Sequence, residues 1–332
     1  MSVWLPGAPC TPRACVETTR TATAAPLAVL RIVAVVALVL VGVVLAPWGG
    51  RIPAAATRRW SRAVVQSAGV RVRVSGATAP AAGGLLLVAN HISWLDIPLL
   101  AAVRPARMLA KSEIRGWPVA GALAARGGVL FIDRDRLRAL PGTVARIAEA
   151  LRTGQAVAVF PEGSTWCGRA QGRFRRAVFQ AALDAKVPVQ PVRIRYRADG
   201  GAPSTTPAYV GDDSLLASLW RVASARGLVA EVEILPALAP SAYADRRALA
   251  AAAGERVSGG AHGWWDPAPG VPRDAVVPDR AGDRPDSRGR RLGPRGQRSP
   301  RGGAGGLRAP GFQLKKGVLD GRRDGIMARP DV

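Results

Sequence analysis

Gly84-Leu-Leu-Leu-Val-Ala-Asn-His-Ile-Ser-Trp-Leu-Asp96 opens as an unbroken apolar run and ends on a histidine and an aspartate. Leu85 to Ala89 show no alternation of apolar and polar residues. That is the pattern of a strand buried on both faces, as in a parallel sheet covered by helices on each side. His91 therefore sits just beyond the carboxyl end of a central strand, where open α/β sheets bind their ligands. On an ideal helix His91 and Asp96 would point about 140° apart, at about 100° per residue. The segment must turn before it becomes helical, with the helix starting near Asp96 and Pro98 in its first turn. Imidazole titrates close to neutral pH, so a histidine beside an orienting carboxylate can serve as a general base. Taken alone, the pair fits a structural histidine equally well.

On either side, short apolar runs alternate with helical patterns. Val70-Arg-Val-Arg-Val74 alternates as a half-buried strand does, and further strands are expected at Val129–Ile132, Ala156–Phe160, Val187–Tyr196 and Val229–Leu235. Helical stretches fall at Ile97–Val103, Pro118–Ala125, Leu137–Leu151, Arg175–Lys186, Ser214–Ala225 and Ser241–Ala253. Strand and helix taking turns in this way predicts an α/β domain with a largely parallel sheet. Its expected extent is residues 55–255.

The flanks have a different texture. Residues 1–25 lack periodicity and are expected to be disordered. Residues 26–48 read as a membrane anchor helix, either spanning or dipping into the bilayer, with Arg31 able to snorkel to one interface. Val44-Leu-Ala46 weakly resembles a cleavage site, but Arg51, Arg58, Arg59 and Arg62 crowd the downstream flank. Basic residues stay on the cytoplasmic side, which predicts a protein of the cell inner membrane with its catalytic domain facing the cytoplasm. The same arginines can meet anionic headgroups. Residues 260–332 are rich in Arg, Gly and Pro and cannot bury enough apolar surface to order themselves, so a disordered tail is expected. The formal charge of +24 suits an anionic membrane or nucleic acid. The tail lacks interleaved aromatics, however, and a nucleic-acid-binding role would leave His91 unexplained. Cys10, Cys15 and Cys167 are odd in number and match no zinc spacing, so neither a disulfide framework nor a metal site is expected. There is no G-x-S-x-G elbow and no phosphate-binding P-loop.

Three more blocks follow the histidine. Val129-Leu-Phe-Ile-Asp-Arg134 ends a strand in an arginine. Phe160-Pro-Glu-Gly-Ser164 ends another in a carboxylate and a glycine turn. Val187-Pro-Val-Gln-Pro-Val192 begins a third. With Asn90-His91 and Asp96, these blocks in this order resemble the glycerolipid acyltransferase family, typified by 1-acylglycerol-3-phosphate acyltransferases. Ala110-Lys-Ser-Glu113, Gly116-Trp-Pro118 and Tyr209-Val-Gly-Asp-Asp213 resemble bacterial members, and the likeness extends over roughly residues 55–253.

The resemblance implies a mixed, largely parallel sheet flanked by helices and preceded by a membrane-docking element. It implies transfer of a fatty acyl group from acyl-CoA or acyl carrier protein to a lysophospholipid hydroxyl, most simply that of 1-acylglycerol-3-phosphate, giving phosphatidic acid. A lyso-ornithine lipid is an alternative acceptor. His91 would be the base and Asp96 its orienting partner. Arg134 would grip the acceptor phosphate, because a guanidinium fork matches phosphate geometry. Glu162 would bind glycerol hydroxyls or order the loop, and Gly163 would let the backbone approach closely. Asn90, Ser164 and Lys111 complete the expected substrate-binding set. No cofactor is expected, since the acyl donor is itself a substrate. One departure stands out. Many members carry Thr-Arg after Phe-Pro-Glu-Gly, whereas this chain has Ser164-Thr-Trp166, leaving Arg169, Arg173, Arg175 or Arg176 as substitutes.

Overall fold

The structure, a computed structural model, describes residues 7–17, 25–45, 48, 52–80, 82–116, 121, 128–133 and 136–259. The expected tail at 260–332, most of the expected helix at Pro118–Ala125, and Arg134 lie outside the described residues.

Seven strands form one sheet: β1 (Val70–Gly76), β2 (Leu85–Ala89), β3 (Arg107–Lys111), β4 (Leu130–Ile132), β5 (Ala156–Val159), β6 (Val189–Arg197) and β7 (Leu228–Ile234), in the order β1-β7-β6-β2-β5-β3-β4. Every neighbouring pair is parallel except β6–β7, so the sheet is mixed and largely parallel. All five residues of β2 are buried. Leu85, Leu87 and Ala89 pack into the core on one face, Leu86 and Val88 into the core on the other. That two-sided burial is why the run shows no polar alternation. β3 was not legible as a strand. It is short and bracketed by Arg107 and Lys111, and it is extended because it fills the gap between β4 and β5.

One face carries the helices α3 (Ala54–Ser67), α4 (Asp96–Val103) and α7 (Leu215–Ser224), with Val65, Leu99, Leu100 and Val222 in its core. The other carries α5 (Leu140–Arg152), α6 (Ala177–Ala185) and α8 (Arg246–Ser258), with Ile147, Phe179 and Leu249 buried. Several boundaries follow from local chemistry. Ser214 caps α7 by accepting from the Ala217 amide, and Asp245 caps α8 by accepting from the Arg247 and Ala248 amides. Gly259 ends α8 in the left-handed conformation.

Helix α2 (Ala25–Leu45) has 21 residues and a mean hydropathy of 3.0, long and apolar enough to cross a membrane. Val29, Leu30, Val33, Val36, Leu40, Val41 and Val44 face outward along it. Its inner side rests on α3, where the Trp60 indole donates to the Leu38 carbonyl at 3.0 Å. The ring lies against Gly42, where a Cβ would meet it at 2.5 Å. Arg31 does not snorkel to an interface in this structure. Its guanidinium turns inward and donates to the carbonyls of Ala223 and Ala225 at 2.8 and 2.7 Å, satisfying the C-terminal end of α7.

The reading of residues 1–25 as disordered is corrected for 7–17. Here Thr11 caps a single helical turn, α1 (Pro12–Cys15), and Glu17 engages Thr205 and Arg169. Order in this stretch comes from partners far away in the chain, which local periodicity does not report.

Candidate active site

The site lies at the carboxyl ends of β2 and β5, which are adjacent and parallel. The chain leaves β2 at Ala89 and turns through Asn90–Leu95, and α4 begins at Asp96 as its first residue, with Pro98 in its first turn. The turn is built by the aspartate itself. Its Oδ2 accepts from the backbone amides of Ile92 at 2.6 Å and Ser93 at 2.8 Å, and from His91 Nδ1 at 2.9 Å. Its Oδ1 accepts from the Tyr196 hydroxyl at 2.6 Å. Four donors meet the roughly four acceptor positions of a carboxylate. That satisfaction is what allows a fully buried acid to stay in the core. Its place at the N-terminus of α4 adds a favourable helix dipole. Burial, with Asp96 beside it, pushes the Tyr196 hydroxyl well above its ordinary range, so this phenol holds its proton and acts as a donor.

His91 is fixed from three directions. The Asp96 bond engages Nδ1, and the ring stacks on Phe160 with centroids 3.9 Å apart and planes 10° from parallel. Its backbone is clamped as well: the N–H donates to Glu162 Oε2 at 2.7 Å, and the carbonyl accepts from the Trp166 amide at 2.8 Å. The side chain is 19% exposed, and Nε2 is the ring nitrogen with no hydrogen bond among the described residues. A base with Nδ1 anchored and Nε2 left without a protein partner can take a proton from a bound hydroxyl.

Glu162 follows β5 and is 3% exposed. Oε2 takes the His91 amide and Oε1 the Gly172 amide at 3.0 Å. Burial raises its carboxyl well above the usual carboxylate range, while the two amide donors oppose that shift. Of the two roles expected for this residue, these contacts describe loop ordering, since both oxygens are engaged by backbone. Gly163 has φ 79°, a conformation that side-chain-bearing residues rarely adopt, and it closes the turn through its amide on the Phe160 carbonyl. At Gly172 a Cβ would meet the Trp166 indole at 2.4 Å, so glycine permits that ring to lie over the loop.

The other expected residues sort by position. Asn90 is buried and spans to β6, donating to the Ile194 carbonyl at 2.9 Å and accepting from the Ile194 amide at 2.8 Å. It braces the turn against β6. Ser164 is half-buried in the loop after Gly163. Lys111 is exposed at the carboxyl end of β3, beside Ile132 in the register. Strands lie about 4.8 Å apart, which puts the end of β3 on the order of 10 Å from the end of β2. β4 ends at Ile132, two residues before Arg134. Of the candidate substitutes, Arg169 pairs with Glu17 at 3.4 Å, while Arg173, Arg175 and Arg176 are exposed.

Tyr196, Phe160, Trp166 and Gly172 were not singled out from the sequence. Phe160 heads the Phe-Pro-Glu-Gly block and Trp166 follows it closely, so both lie within reach of that motif. Nothing in the sequence shows that Tyr196, a hundred residues on from Asp96, reaches its carboxylate.

Residues 71–195 match the acyltransferase family model. Over 243 residues the chain is 39% identical to a lyso-ornithine lipid O-acyltransferase of Pseudomonas aeruginosa, covering 69% of this chain and 91% of that protein. It is 37% identical over 166 residues to a 1-acyl-sn-glycerol-3-phosphate acyltransferase of Neisseria gonorrhoeae, covering 50% of this chain and 65% of that protein. The crystal structure of the 1-acyl-sn-glycerophosphate (LPA) acyltransferase PlsC from Thermotoga maritima aligns with a TM-score of 0.49 at 21% identity, over 71% of this chain and 93% of that one.

Proposed function

Since the chain belongs to the acyltransferase family, we propose that it moves a fatty acyl group from the thioester of acyl-CoA or acyl carrier protein onto the free hydroxyl of a lysolipid, with His91 as general base. The observation that carries the reading is the His91 Nδ1–Asp96 bond of 2.9 Å on a partly exposed ring whose Nε2 has no hydrogen bond among the described residues. Nε2 takes the proton as the acceptor oxygen attacks the thioester carbonyl. The tetrahedral intermediate then expels the thiolate, which receives that proton from the imidazolium. Asp96 holds the tautomer and balances the positive ring, as the acid of a Ser-His-Asp triad does. The acceptor hydroxyl is itself the nucleophile, so no acyl-enzyme is needed.

The acceptor is 1-acylglycerol-3-phosphate, with phosphatidic acid as product. Lys111 and Arg134 are the groups assigned to its phosphate, and Glu162, Gly163, Ser164 and Asn90 shape the loop that surrounds it. A second reading takes a lyso-ornithine lipid as acceptor. The relative of that name is matched over 91% of its length, and no arginine follows Gly163 at the family's usual place. Helix α2 and the exposed Arg59 and Arg62 beside it suit an inner-membrane enzyme whose catalytic domain meets the cytoplasm.

Purified full-length protein in mixed micelles, offered both acceptors with both donors, tests the reading. Acylation of one acceptor and its loss in His91→Ala, with the variant still folded by circular dichroism, is the expected result. Turnover retained in His91→Ala would remove the base from the mechanism.

A further inference from the structure

The three cysteines come together in the fold although nothing in their spacing announces it. We infer that Cys10, Cys15 and Cys167 form a thiolate site for a zinc-type transition-metal ion, independent of the acyl-transfer chemistry. Their three sulfur atoms all lie within 4.8 Å of one another, and none is in a disulfide. Around a tetrahedral zinc with Zn–S bonds of about 2.3 Å, ligand sulfurs stand about 3.8 Å apart. Each sulfur needs to move by less than about 1 Å to reach that geometry.

The ligands are held in place by contacts that owe nothing to an ion. Cys10 and Cys15 bracket one turn of helix. Thr11 caps it through the Ala14 amide at 3.3 Å, and the Cys15 amide donates to the Thr11 carbonyl at 3.0 Å. The turn therefore folds the two cysteines back toward each other. Its far end is fastened by Glu17, whose amide donates to Thr205 Oγ1 at 3.1 Å and whose carboxylate pairs with Arg169 at 3.4 Å. Cys167 arrives on the loop after β5, next to Trp166. A preformed, doubly anchored set of three soft thiol ligands suits a thiophilic ion that completes its coordination with a fourth, non-protein ligand.

Burial agrees with this geometry. Cys10 and Cys167 are 6% and 3% exposed while Cys15 is half-buried, so an ion would enter from the Cys15 side and take its fourth ligand, such as water, there. Three thiols converging on one point also suit a shared ion better than a disulfide, which can join only two. Each thiol gives up its proton to solvent as the ion binds. The ion would clip the segment that precedes α2 to the loop whose Trp166 amide holds the His91 carbonyl.

The test uses full-length protein in detergent, purified under reductant. After equilibration with zinc and gel filtration, elemental analysis should find about one zinc per chain, and cobalt(II) should give a thiolate-to-metal charge-transfer band with tetrahedral d–d bands. Cys15→Ser, which changes the least buried ligand, should weaken cobalt binding by more than about tenfold while circular dichroism stays unchanged. If that variant does not fold, the wild-type protein alone decides: zinc should raise its unfolding temperature and shield its thiols from alkylation until a chelator is added. Zinc retention at background level, no cobalt–thiolate band, or thiols that alkylate freely in the presence of zinc would overturn the assignment. So would a native mass short by two hydrogens from a Cys–Cys bond.

Discussion

Asp96→Asn separates two tasks that the carboxylate performs together, orienting the imidazole and balancing its charge. Oδ2 accepts three N–H donors and Oδ1 one hydroxyl. An asparagine amide can settle here in only one way. Its oxygen must take the Oδ2 position, because an NH2 there would face the amides of Ile92 and Ser93 and strand buried donors at about 1–3 kcal/mol each. The NH2 then faces Tyr196, whose hydroxyl can rotate and accept. The His91 Nδ1–H bond survives, so ring orientation and tautomer are retained, and only the negative charge is lost. Two unit charges about 4 Å apart attract by about 4 kcal/mol at an effective dielectric of about 20. Losing that stabilisation of the imidazolium lowers the chemical step about 1,000-fold. The assay is single-turnover acyl transfer in mixed micelles, with nitrogen NMR of the imidazoles beside it; the chain has only His91 and His262, so the spectrum is sparse. The expected outcome is an unchanged His91 tautomer with a rate about three orders of magnitude down. A rate within about tenfold of wild type, with the tautomer intact, would refute the assigned electrostatic role of Asp96.

Tyr196→Phe keeps the packed ring and removes one hydrogen bond to a buried charge, worth about 1.5–3 kcal/mol; calorimetry should show the melting temperature lowered by several degrees, with a smaller rate loss than Asp96→Asn. Glu162→Gln leaves one of two backbone amides facing an NH2 and should destabilise the loop. Because burial raises the Glu162 carboxyl, the unfolded chain gives up this proton first as pH rises from the ordinary carboxylate range. Wild type therefore loses stability relative to the non-titrating glutamine over that window. Denaturation curves across pH should show the deficit of Glu162→Gln shrinking as pH increases; a deficit that grows would reverse the sign. Gly163→Ala puts a side chain at φ 79° and should cost about 1–2 kcal/mol with reduced turnover. Truncation after Trp265 should leave acyl transfer intact in a micellar assay.

The sequence by itself determined the α/β layering, because a strand buried on both faces must be apolar throughout, as Leu85–Ala89 is, and strand and helix patterns alternate on either side of it. It also located the His91–Asp96 turn and the start of α4, since five residues cannot bring those side chains together on a continuous helix. These are local constraints, and local constraints are readable in a string. What only the tertiary structure decided are the partners that approach from elsewhere: Tyr196 on Asp96, the Glu162 oxygens on backbone amides of two separate loops, and Arg31 turned onto the end of α7. β3 became a strand because its neighbours left a place for one, and residues 7–17 became ordered because Thr205 and Arg169 were there to meet Glu17. The meeting of three cysteines belongs to the same class. Spacing along the chain constrains only ligands that are close in sequence, and here the third, Cys167, comes from the loop after β5.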